Sequence, residues 1–194
     1  MCKKLGVLLV VLSAVSLVAA QAKLDGPFQV RYFSNLNVGD SYIDITNSGA
    51  SGGNICVNVY AFSPDEQEVS CCACPVTPNG LESLSVVSDL ISNTLTPATP
   101  TSVVVKLVAT RGTSCNAAVP FSSSNPLANG MLAWGTTLHA SPAGYATTET
   151  AFSPATLSAA EETRITNFCS FIQANGSGFG ICRSCRLGGL APKQ

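Results

Sequence analysis

The chain has 194 residues, of which only 11% are charged. Ten Lys and Arg stand against eleven Asp and Glu, so there is no basic stripe to hold nucleic acid or anionic lipid. Nine cysteines and a surface vocabulary of Ser, Thr, Asn and Gly point to an oxidising compartment and a neutral polar exterior.

The first residues read as an export signal. Lys3 and Lys4 form a short positive region, and residues 5–18 are apolar apart from Gly6, Ser13, Ala14 and Ser16. Ala20-Gln21-Ala22 then offers the small-residue pattern that signal peptidase reads. The apolar run, about 14 residues, is short of the roughly 20 that a spanning helix needs. Residues 1–22 are therefore expected to be cleaved after Ala22, with Ala20 as the alternative. Cys2 precedes the run, so it is no acylation site and leaves with the leader. Removing 22 of 194 residues leaves 172, residues 23–194, the size of one domain with a real core. Without Lys3 and Lys4 the basic residues fall to eight against eleven acidic ones, a net of about −3. No later segment reaches spanning length, so stable membrane insertion is not expected after cleavage.

Along the remaining chain, residues 28–33 read as a first strand. Residues 41–46 alternate Tyr42, Asp44 and Thr46 against Ile43 and Ile45, and Asn47-Ser48-Gly49 closes them as a turn. The glycine-rich loop 49–53 lacks the strand–helix setting of a phosphate loop. Residues 55–62 are apolar on both faces, the mark of a central strand covered on each side. After Ser63-Pro64-Asp65, residues 67–73 return as a hairpin partner, and Pro75 is expected to stop them. A strand near 83–87, a short helical turn, a Thr/Pro loop and a valine-rich strand at 102–109 follow. Residues 112–129 form a long loop holding Cys115, and residues 131–139 a strand containing Trp134. Ser158-Ala-Ala-Glu161 is a capping box, with Glu162 also favourable at that helix end. Ile165, Phe168, Cys169 and Ile172 then form one apolar stripe, and Asn175-Gly176 a C-cap. Six or seven short strands between turn signals predict a mainly β fold, an immunoglobulin-like β-sandwich with one C-terminal α-helix packed on it.

Without Cys2, eight cysteines remain: Cys56, Cys71, Cys72, Cys74, Cys115, Cys169, Cys182 and Cys185. An even count in an exported chain reads as up to four disulfides, among 105 pairings. Neighbouring Cys71 and Cys72 would face opposite sides of a strand, so they are expected to take different partners. Cys169, inward on its helix, is expected to bond Cys182 or Cys185 across a short tail, the other tail cysteine being tied to the sandwich. Two rival uses of the thiols are a zinc site from 71–74 and 182–185, and a redox pair at Cys182 and Cys185 flanked by Arg183 and Arg186. A link to another chain is disfavoured by the even count.

The strings 53–62 (Gly-Asn-Ile-Cys-Val-Asn-Val-Tyr-Ala-Phe), 71–80 (Cys-Cys-Ala-Cys-Pro-Val-Thr-Pro-Asn-Gly) and 178–186 (Gly-Phe-Gly-Ile-Cys-Arg-Ser-Cys-Arg) resemble a group of small exported, cysteine-rich proteins predicted from environmental bacterial genomes. The group carries no assigned activity. The resemblance implies export and a shared disulfide framework, and nothing about mechanism.

Catalytic signals are sparse. His139 is the lone histidine and is expected at a strand end, with Asp40, Asp44, Asp65 and Asp89 in or beside turns. There is no Gly-x-Ser-x-Gly elbow. The carboxylate clusters Glu66/Glu68 and Glu161/Glu162 read as a hairpin end and a helix start rather than a glycosidase pair. Trp134 with Tyr60 and Phe62 is either core or a sugar-stacking platform. The expected function is thus an exported, non-catalytic structural, surface, adhesion or envelope-assembly module without a cofactor, secreted or periplasmic, with a protein or glycan partner at the cell surface. The alternatives are a redox or zinc protein using Cys182 and Cys185, and a carbohydrate-binding module.

Overall fold

The computed structural model describes residues 25–111 and 114–185. The expected leader, residues 1–22, lies outside them. Nine strands run β1 Phe28–Phe33, β2 Tyr42–Asn47, β3 Ile55–Phe62, β4 Glu68–Val76, β5 Leu81–Ser85, β6 Val103–Thr110, β7 Met131–Ser141, β8 Gly144–Ala151 and β9 Ser153–Pro154, followed by helix α1 Ala159–Ala174. They form two antiparallel sheets, ordered β4-β3-β6-β1-β9 and β5-β2-β7-β8.

Strand alternation builds two cores. Val57, Val59 and Ala61 of β3, with Val105 and Leu107 of β6, face Ile43, Ile45 and Met131 of the second sheet. The opposite face of β3 carries Tyr60 and Phe62, which pack with Val108 against Ile165, Cys169 and Ile172 of α1. All eight residues of β3 are consequently buried, as a central strand covered on both faces requires.

Ser158 caps α1 by accepting a hydrogen bond from the Glu161 backbone N–H, at 3.2 Å. The apolar stripe is narrower than expected: Phe168 is 44% exposed, and the inward positions are Ile165, Cys169 and Ile172, spaced i, i+4, i+7. Pro75 does not stop β4, which continues to Val76; β4 is an edge strand, where a residue without an N–H is tolerated. A π-helical turn, Val86–Ile91, follows β5. The described residues hold two strands more than expected, β8 and β9. β7 runs on past His139 to Ser141 and turns through Pro142 and Ala143 into β8, every residue of which is exposed.

Candidate functional site

Four disulfides join the eight cysteines of the described residues: Cys56–Cys115, Cys71–Cys169, Cys72–Cys182 and Cys74–Cys185, with Cα separations of 4.5–5.8 Å. Three start on β4. Cys71 faces α1 and Cys72 faces the core between the sheets, so adjacent residues do take partners in different layers. The expected bond from Cys169 to the tail is not formed. Burial of Cys169 against the outer face of β4 places it 5.8 Å, Cα to Cα, from Cys71, while the tail runs along the edge of β4, where Ile181 bridges Cys71. The tail cysteines therefore meet Cys72 and Cys74.

This pairing bears on the thiol chemistries. Cys182 and Cys185 belong to separate bridges and form no dithiol. Two groups have metal-compatible donors within 4.8 Å of one another: Glu68, Cys71 and Cys169, and Cys74, Glu82 and Cys185. In each the sulfurs are consumed by an S–S bond, leaving one carboxylate, too few ligands for a zinc site.

The other candidate residues are dispersed. Asp40 accepts from the Ser41 and Val87 backbone N–H groups at 2.8 and 2.9 Å, and Asp89 from Ser85 N–H at 2.7 Å; both organise the turn after β5. Asp44 bonds Ser83 and Asp65 bonds Ser63. Glu161 pairs with Lys106, Glu66 with Arg164 at 3.8 Å, and Glu162 accepts from Phe121 N–H at 3.0 Å. Tyr60 and Phe62 lie beneath α1, whereas Trp134 is on β7 of the other sheet, so the three form no common platform. Burial is what places Tyr60 and Phe62 there: they are the floor on which the helix packs.

Glu68, expected at a solvated hairpin end, is 2% exposed. Neither of its carboxylate oxygens has a hydrogen-bond partner among the described residues. Burial pushes its pKa up to about 9, opposed by the positive charge of Lys106. The nearby Lys106 ammonium and Arg164 guanidinium lie 4.2 and 5.5 Å from the Phe62 ring centroid.

A cleft of about 600 Å³ lies between β1 of the first sheet and the β7–β8 hairpin, which runs on past the pairing of β7 with β2. Arg31 of β1 crosses it, bonding Thr137 Oγ1 at 3.0 Å, the Thr150 carbonyl at 3.0 Å and the Thr150 hydroxyl. Its guanidinium lies 5.2 Å from the Phe33 ring centroid. Gly135 permits this crossing: a Cβ there would stand 2.4 Å from Arg31 Nε. His139 is exposed on the same hairpin, its Nε2 2.7 Å from Thr148 Oγ1, and no carboxylate among the described residues lines the cleft. Sequence reasoning missed Arg31, because its significance comes from a hairpin that carries no apolar pattern.

The fold and its bridges thus define a mainly β, disulfide-clamped protein with two antiparallel sheets and a C-terminal helix. Comparison with models of known families, with curated proteins and with solved structures finds none that matches.

Proposed function

We propose that this chain is an exported, non-catalytic module that works at a cell surface, in a matrix or in an envelope assembly. The observation that carries this reading is the covalent clamp: α1, the C-terminal tail and the loop holding Cys115 are each bonded to β3 or β4. Such a framework belongs where disulfides persist, and it serves persistence rather than movement. We read the sandwich as immunoglobulin-like. Two facing antiparallel sheets, with the chain passing repeatedly between them, support this, although the bridges fasten peripheral segments to one sheet instead of joining the two. Thiol exchange at Cys182 and Cys185 would first require two separate bridges to open.

The test is expression of the full chain followed by fractionation and intact mass, with and without reduction. The reading expects exported protein beginning at Lys23, or at Gln21, and about 8 Da lighter than its reduced form, two hydrogens for each of four bridges. Cytosolic protein that retains Met1 and nine free thiols, Cys2 included, would overturn it.

A further inference from the structure

We infer that the cleft crossed by Arg31 captures the C-terminal end of an extended peptide, adding it as a short strand beside β1 with its α-carboxylate on the guanidinium. The first observation is an incomplete ladder. β9 pairs with β1 only at Gln29 and Val30, because the chain leaves for the other sheet at Phe152, whose N–H bonds the Ala133 carbonyl at 2.9 Å. The Phe28 carbonyl accepts from Ala155 N–H on the β9 side, while the Pro27 carbonyl accepts from Ala109 N–H on the β6 side. By the alternation of an antiparallel ladder, the N–H and C=O of Tyr32 turn away from β6, toward the cleft, at a point where β9 has already ended.

The second observation is that this slot is blunt. A strand laid antiparallel to β1 from the Ser34 end runs head-on into Ser153, the start of β9. A through-running chain is blocked there; a chain terminus is not. In that direction the terminus is a carboxyl group, and it ends level with Arg31.

The third is charge. Among the described residues, the terminal nitrogens of Arg31 bond only neutral oxygens, those of Thr137 and Thr150, and no carboxylate lines the cleft. A guanidinium held in place by a ring and two threonines is preorganised for a carboxylate, its strongest planar partner. The free strand edge favours a peptide over an acidic glycan, which has no ladder to offer.

The experiment is fluorescence anisotropy on the purified, oxidised protein with a labelled hexapeptide of alternating Val and Thr. One arm has a free C-terminal acid, a second the C-terminal amide, a third the amide with an internal Glu, and a fourth a sulfated oligosaccharide as competitor. The free acid should bind at least tenfold more tightly than either amide, and Arg31→Gln should make acid and amide equal. Thr137→Val, which keeps the guanidinium, should weaken the acid about threefold. Hydrogen exchange on the wild-type protein gives a readout independent of variant folding: the Tyr32 amide should slow when the acid is bound. Equal binding of acid and amides, no binding at millimolar peptide, preference for the internal Glu or for the sulfated sugar, or an unprotected Tyr32 amide would each overturn the inference. It depends on the cleft alone, so it stands or falls separately from export, which fractionation and mass decide.

Discussion

Glu68 sits under α1 with the Lys106, Arg164 and Glu161 charges around it and Tyr60 beside it, and burial holds its pKa near 9 against an ordinary value of 4.5. For an acid whose folded pKa is raised, the folded state keeps a proton that the unfolded chain gives up. Its contribution is therefore greatest below about pH 4.5 and declines as pH rises toward 9. The slope attributable to this group approaches about 1.4 kcal/mol per pH unit inside that window. Glu68→Gln should flatten urea-derived stability between pH 5 and 9 relative to wild type; an unchanged slope would show that the carboxyl ionises freely. Gly135→Ala tests the crossing of Arg31. The new methyl must displace the guanidinium and the Phe33 ring edge, 2.4 and 2.8 Å away, and should cost about 1–3 kcal/mol in denaturant unfolding. Neither residue was legible in the sequence: Glu68 looked like half of a solvated pair, and Gly135 like any strand glycine. What sets them apart is the layer that covers each, and that layer comes from distant segments.

The strand β4 places Cys71, Cys72 and Cys74 in reach of three different partners, and burial divides the bridges. Cys71–Cys169 and Cys72–Cys182 are enclosed, whereas Cys115 and Cys185 are partly exposed. Graded reduction followed by alkylation and peptide mapping should label Cys115 and Cys185 first; early labelling of Cys169 would contradict this packing. Cys71→Ser and Cys72→Ser should each cost roughly 2–5 kcal/mol, since they release loops of 98 and 110 residues. Non-reducing urea denaturation checks this. The strands with a clear burial pattern, β1, β2, β3 and β6, were readable within a residue or so at each end, and so was α1 from its cap. β8 was not, because a strand exposed on both faces has no alternation to find. The partner of Cys169 is hidden from the sequence for a related reason. Chain proximity favoured the tail, but the inward face of the helix met β4 first.

Across the whole molecule, protection should follow the layers. β3, enclosed on both faces, should exchange its amide hydrogens slowest, and β8 fastest among the strands. Mass-spectrometric exchange that ranked them otherwise would refute the layering. The clamp also has a mechanical meaning. Cys74 and Cys185 are 111 residues apart in sequence but 4.5 Å apart in space. Tension applied at the tail therefore passes through that bond to Cys74 and bypasses the intervening chain. Fully extended, that chain would add roughly 370–400 Å. A reductant turns this hidden length into slack, so the protein would behave as a short, stiff link when oxidised and a long, compliant tether once its bridges open.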